Sequence, residues 1–215
     1  MDFEAWEPFY VQILNDFGFS RAQDEAVARD LDARLGGRRA ADRDLRSLLE
    51  GQEVTVAGNG PNLAAEIDDA RGVLVTADEA TSVALGRGLR PAILVTDLDG
   101  TVSDQVKAND AGTIAVVHGH GDNGPAVRQW SPLFAGRTVA TTQSRPVGGL
   151  RNFGGFTDGD RAVFLADHFG AARIRLIGFD FEHPSPKDLD PRTKQRKLDW
   201  AYILLGNLGR DDLEL

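Results

Sequence analysis

Apolar positions along the chain change their period once. Over residues 3–18, Phe3, Trp6, Phe9, Tyr10, Ile13, Leu14 and Phe17 recur at intervals of three and four, which is one stripe of a helix. A second helical pattern covers roughly residues 20–50. Ser20 suits its N-cap, and Asp24 and Glu25 place acid in the first turn, where the helix dipole favours it. Gly36-Gly37 is expected to interrupt this helix. The aromatic face of the front section is expected to pack on its own domain.

From Glu53 onward, short apolar runs alternate with helical stretches. The runs are Val54–Ala57, Gly72–Thr76, Ala92–Thr96, Thr113–Val117, Thr138–Thr142 and Ile174–Ile177. Their spacing of roughly twenty to thirty residues accommodates a strand, a crossover helix and two loops. That grammar predicts an α/β chain of Rossmann-like class, with a mainly parallel sheet and helices on both faces, preceded by an N-terminal helical segment. Residues 1–50 are expected to form that segment and residues 51–215 the α/β domain, closed by a helix from Pro191 with Leu198, Tyr202 and Leu205 on one face.

Composition narrows the function classes. The 215 residues contain no cysteine, which excludes disulfides, thiolate zinc sites and a cysteine nucleophile. A net charge of −9 argues against binding nucleic acid through its phosphates. No apolar run reaches the ~18–20 residues of a membrane span, and the N-terminus lacks the basic start and apolar core of a signal peptide, so a cytoplasmic protein without membrane partners is expected. Basic residues are nearly all arginine, with lysine only at 107, 187, 194 and 197, and the acids are mostly aspartate. This bias fits a salt-adapted (halophile) cytoplasm, where the Debye length falls to about 3 Å at 1 M salt and screens acidic self-repulsion. A GC-rich genome produces the same preference for arginine.

Each strand exit carries chemistry, and in open α/β sheets ligands bind outside the carboxyl ends of strands. Ala92-Ile-Leu-Val-Thr-Asp-Leu-Asp-Gly100 is a buried strand running into Asp97 and Asp99. Spaced by one residue on an extended chain, the two carboxylates are expected on one side, where hard oxygen ligands suit Mg²⁺ or Mn²⁺. The first exit, Gly58-Asn-Gly-Pro-Asn-Leu63, reads as a phosphate-binding turn or as a plain strand-to-helix turn. The second leaves through Ala77-Asp78-Glu79. The fourth gives His118-Gly-His-Gly-Asp-Asn123. Its His118 and His120 with Asp122 read as a transition-metal site, as a loop in which Asp122 joins the aspartate pair while the histidines and Asn123 meet phosphate or substrate, or as a polar turn with buried histidines. The fifth leads to Asn152-Phe-Gly-Gly-Phe-Thr-Asp-Gly-Asp-Arg161 ahead of a helix over Ala162–Phe169. There Phe153 and Phe156 suit stacking on a flat ring, and Arg145, Arg151 and Arg161 suit clamping phosphate.

Taken in order with Gly178-Phe-Asp-Phe181, these motifs resemble the archaeal, MptE-like 6-hydroxymethyl-7,8-dihydropterin pyrophosphokinases, over about residues 53 to 181. That family is similar in turn to the catalytic domain of thiamin pyrophosphokinase. The resemblance implies transfer of a diphosphate from ATP to the hydroxymethyl oxygen of a reduced pterin, releasing AMP, on a route to folate- or methanopterin-type cofactors. It implies small-molecule partners, ATP and the pterin, and allows a homo-oligomer. By this likeness Asp97 and Asp99 hold one or two Mg²⁺, with Asp122 as a further ligand or as base. Gly58, Asn59, Gly60, Asp78, Arg145 and Arg161 would serve the nucleotide. His118, His120, Asn123, Asn152, Phe153, Phe156 and Asp158 would serve the substrate. Glu79 and Ala92 depart from the family pattern near the ATP loops.

Two rivals share the Asp-x-Asp signature. In haloacid-dehalogenase-type phosphatases the motif lies on the first core strand and is followed by a lysine and then an acidic pair; here at least two strand units precede it and the order fails. A glycosyltransferase-like protein binding a sugar nucleotide through a metal is the other; a nucleotide-binding module without catalysis is a further alternative that does not depend on the signature.

Overall fold

The computed structural model describes residues 1–35, 40–184 and 190–215. Six parallel strands form one sheet: β1 (Glu53–Ala57), β2 (Val73–Ala77), β3 (Ile93–Thr96), β4 (Ile114–Gly119), β5 (Thr138–Thr142) and β6 (Arg173–Ile177). Their order is β5-β4-β3-β2-β1-β6. The chain therefore steps outward from β1 to β5 and returns to place β6 on the other side of β1. The reversal sets a switch point between the exits of β1 and β6, next to those of β2 and β3.

Side chains alternate across the strands and divide the core into two faces. Ile93, Val95, Ile114 and Val116 join the face covered by α1 (Phe3–Phe17), α3 (Asp42–Leu49), α8 (Asp158–His168) and α9 (Pro191–Gly206). Leu94, Ala115 and Val117 join the opposite face, under α2 (Arg21–Leu35), α6 (Val102–Asp110) and α7 (Gly124–Trp130). Leu74 and Ile177 pack with α4 (Leu63–Glu66) and α5 (Ala80–Gly86). The expected α/β class, with helices on both faces and helices preceding the first strand, is what the chain forms. Among the described residues no helix is long and apolar enough to cross a membrane.

The N-terminal stripe packs as its period predicts: Phe3, Trp6, Tyr10 and Ile13 are buried on the sheet's main core. The region read as one helix over 20–50 contains two, α2 and α3, and Gly36-Gly37 lies outside the described residues. Strand β4 runs two residues further than its apolar run, taking in His118 and Gly119. On α9, Leu205 is buried with Ala201 and Leu204, whereas Tyr202 is 49% exposed. The helix expected from Ala162 starts at Asp158, because Thr157 and Asp160 close a capping box there: Asp160 accepts from the Phe156 and Thr157 amides at 2.7 and 2.6 Å. Asp158 thereby moves from a loop to the first turn of a helix.

Candidate active site at the strand exits

A cavity of ≈ 480 Å³ opens at the carboxyl ends of β1, β2, β3 and β6. Its floor holds Asp78 after β2, Asp97 after β3 and Asp158 at the head of α8, with one oxygen of each within 4.8 Å of the others. Local backbone brings them in. Asp78 (φ 44°) and Leu98 (φ 70°) are the non-glycine residues with left-handed backbone among those described; the first is on this floor and the second directly follows Asp97. Such conformations cost of order 1–3 kcal/mol each and persist where surrounding structure imposes them. Thr96 imposes the second, since its Oγ accepts from the Leu98 amide at 2.8 Å, while Gln105 of α6 donates to the Asp99 carbonyl at 2.9 Å.

That turn corrects the expected geometry of the aspartate pair. The extended chain ends at Thr96, Leu98 turns inward and is buried, and Asp99 is left exposed at the cavity rim with its carboxylate on the Gly100 amide. Asp122 also lines the rim and is exposed. Neither belongs to the group of three that surrounds the floor.

The three carboxylates carry more negative charge than their surroundings satisfy. Burial, then the charges of Asp158 and Asp97, push Asp78 well above the ordinary aspartate range; burial and Asp97 push Asp158 up as well. For Asp97 burial pulls upward too, but the His120 hydrogen bond and the charges of His120, Arg161 and Lys197 outweigh it and hold the carboxyl low. His120 Nε2 lies 3.2 Å from Asp97 Oδ2, and the Asp122 amide faces Nδ1 at 3.4 Å. Arg161 donates to Asp158 at 3.1 Å. Even so, Asp78 Oδ1 and Asp97 Oδ1 are buried without a hydrogen-bond partner. Two orphaned carboxylate oxygens on a floor of three acids fit a divalent cation with oxygen ligands, the chemistry of Mg²⁺.

The other expected residues divide between cavity and scaffold. Gly58, Asn59, Gly60, Phe156 and Arg161 line the cavity. The two glycines answer a packing need: a Cβ on Gly58 or Gly60 would stand 2.7 or 2.6 Å from the Gly178 carbonyl at the neighbouring strand exit. His118 does not line the cavity; it is buried, its Nδ1 is 3.0 Å from Thr141 Oγ1, and burial drives its ring well below the usual histidine range. Asn123 is a clip, donating to the Asp97 and His118 carbonyls at 2.7 and 2.8 Å. Asn152 likewise braces the backbone by donating to Gln143 and Ser144 carbonyls. Phe153 packs against His168 and Phe169 in the core instead of stacking on a ligand. Arg145 points to Glu4, Glu7 and the Phe3 ring, Arg151 pairs with Asp42, and neither lines the cavity. Glu79, the departure from pattern, binds the Thr101 amide at 2.7 Å and locks the turn after β3.

Phe19, Lys194 and Lys197 line the cavity from outside every motif, and Phe179 and Phe181, inside the last motif, and Gln143, after β5, line it without having been given a role. One signal was available for the lysines. In a chain that otherwise uses arginine, two of its four lysines fall one helical turn apart on the last helix, and both reach this cavity.

Known proteins align with this arrangement over nearly its whole length. The family described as 6-hydroxymethylpterin diphosphokinase MptE-like matches residues 38–185. A 6-hydroxymethyl-7,8-dihydropterin pyrophosphokinase of Methanothermobacter thermautotrophicus is 42% identical, covering 98% of this chain and 97% of its own. Proteins of the same name from Pyrococcus furiosus (39% identical, 95% of this chain and 93% of theirs) and Methanocaldococcus jannaschii (32%, 100% and 98%) align similarly. A solved MAf glycosyltransferase from Magnetospirillum magneticum superposes with a TM-score of 0.42 at 18% identity, over 76% of this chain and 29% of that one. With a family match across both the glycine turn and the acidic floor, and relatives aligned end to end, the chain belongs to the MptE-like 6-hydroxymethylpterin diphosphokinase family.

Proposed function

We propose that this protein transfers a diphosphate from ATP to the hydroxymethyl oxygen of 6-hydroxymethyl-7,8-dihydropterin, giving AMP and the pterin diphosphate. The observation that carries the reading is the floor of Asp78, Asp97 and Asp158, with two partnerless oxygens, flanked by Arg161 and Lys197 in a cavity of ≈ 480 Å³. Asp78, Asp97 and Asp158 would hold Mg²⁺, which when bound neutralises charge on the polyphosphate. Arg161 and Lys197 supply fixed positive charge for the phosphates; Lys197 makes no ion pair among the described residues and so has its ammonium available.

In the reaction the pterin oxygen bonds to the β-phosphorus while the bond from that phosphorus to the α,β-bridging oxygen breaks, and AMP leaves with that oxygen. Positioning and charge neutralisation matter more here than covalent help. The hydroxyl proton passes to Asp122, at the cavity mouth beside His120, and from there to solvent. The pterin ring stacks on Phe156, which together with Phe19 forms one aromatic wall, their ring centres 6.5 Å apart. The nucleotide occupies the side of the Gly58–Gly60 turn and Phe179.

Incubation with ATP, Mg²⁺ and the reduced pterin is expected to yield AMP in proportion to pterin diphosphate. Release of ADP or free phosphate, or turnover only with a sugar nucleotide, would overturn the assignment. In the same assay Lys197→Gln is expected to raise the KM for ATP about 10- to 100-fold, the worth of a charged hydrogen bond, at unchanged Tm.

A further inference from the structure

Asp24 of α2 lies outside every motif and outside the span that the family matches, yet it is 2% exposed and accepts three hydrogen bonds. Tyr10 Oη donates to its Oδ2 at 2.6 Å, Gln143 Nε2 to the same oxygen at 2.9 Å, and the Gly121 amide to Oδ1 at 2.7 Å. A buried carboxylate is costly unless its surroundings need an acceptor on both oxygens. Three donors converge here, and among side chains of this size and shape only a carboxylate accepts them all.

Two of those donors lead to opposite walls of the acidic floor. With Nε2 of Gln143 committed to Asp24, its Oε1 faces Arg161 Nη2 at 3.3 Å, and Arg161 Nη1 in turn donates to Asp158. Gly121 follows His120, the ring that holds Asp97, and a Cβ on Gly121 would press on Gln23 and Asp24. We infer that Asp24 is a positioning residue that sets Asp158 through Gln143 and Arg161, and Asp97 through the loop bearing His120. The inference rests on the proposed metal-holding role of those aspartates. The physical reason is the amide orientation. If Asp24 lost its acceptor character, the Gln143 amide would be free to turn its NH₂ toward Arg161, donor against donor, and Arg161 would leave Asp158.

Titration of the full chain with Mn²⁺ alone, followed by electron paramagnetic resonance, tests this without turnover. Asp24→Asn and Gln143→Met are each expected to weaken Mn²⁺ binding about 10- to 100-fold, the range for groups that orient metal ligands. The double variant is expected to be no weaker than Asp24→Asn, because that change already cuts the arm through Gln143. Tyr10→Phe removes a donor to Asp24 that leads to neither wall, and should match wild type within about threefold in Mn²⁺ affinity while showing any loss of Tm that disturbing this buried cluster entails. Variants that bind Mn²⁺ like wild type, or an effect of Tyr10→Phe as large as that of Asp24→Asn, overturn the inference. If Asp24→Asn does not fold, Gln143→Met alone decides it. Wild-type protein that neither binds Mn²⁺ nor forms AMP removes the underlying functional reading instead.

Discussion

Two clusters of charge at opposite ends of the strands are built on opposite principles. At the carboxyl ends, Asp78, Asp97 and Asp158 crowd together, two oxygens have no partner, and two of the carboxyls are pushed upward. At the amino end of β6, Arg210 donates to Asp212 twice at 2.8 Å, to Asp167 at 3.1 Å and to the Ala171 carbonyl, while Asp212 accepts from the Ile174 amide at 2.7 Å. The second cluster is saturated within the chain, and Arg210 holds the Asp212 carboxyl down to about 2. The first is complete only with something added. A cluster that satisfies itself contributes stability; one that leaves like charges facing each other costs stability and marks a binding site.

Neutralising one acid at each end of the strands should have opposite consequences. Asp97→Asn should lower turnover about 10³-fold or more, the several kcal/mol of charge stabilisation a held cation supplies. Wild-type Tm should rise on adding Mn²⁺ and that of Asp97→Asn should not. Near-normal turnover in this variant would remove the floor from the mechanism. Next in size, Asp122→Asn should keep Mn²⁺ affinity yet slow turnover about 10²-fold, as a lost proton acceptor does. Asp99→Asn, at the rim, should stay within about tenfold in both, because a solvated group contributes little. A collapse of Mn²⁺ binding in either variant would restore the Asp97/Asp99/Asp122 ligand set over the Asp78/Asp97/Asp158 set.

The smallest effect belongs to the saturated end. Asp212→Asn should leave turnover unchanged and lower Tm by a few degrees, about 2–4 °C per kcal/mol lost in a chain of this size. The pH sign follows from its depressed carboxyl: the stability it contributes is complete above the ordinary 3.8 and is lost as pH falls toward about 2. Acid unfolding of the variant should therefore lack that part of the wild-type transition. Reduced turnover in Asp212→Asn at neutral pH would show that the two ends are not independent.

The contrast between Phe153 and Phe156 shows how far local reading reaches. Both stand in one glycine-rich stretch and both looked fit to stack on a ring, yet Phe153 is consumed by His168 and Phe169 while Phe156 borders the cavity. Arg145 and Arg161 separate in the same way, one drawn to glutamates of α1 and the other buried beside Asp158. Residue type and motif identified loops that border the cavity. Which side chain of a loop meets the site depends on partners more than a hundred positions away, such as Asp24 for Gln143.

What the sequence determined by itself is therefore the periodic part of the protein. The change from helical to strand-and-helix spacing set the α/β class, and the acids, histidines and glycines after each apolar run placed the chemistry at the strand exits. Both are local properties of the chain, and the parallel sheet turns them into one edge. The set of carboxylates that converges was left to the tertiary structure. Left-handed backbone at Leu98 turns Asp99 outward, the capping box starts α8 at Asp158, and adjacent exits of β2 and β3 bring Asp78 to Asp97. Residues 97 and 99 are neighbours along the chain, but binding requires neighbours in space. Only the alignment of separate exits makes Asp78, Asp97 and Asp158 such neighbours.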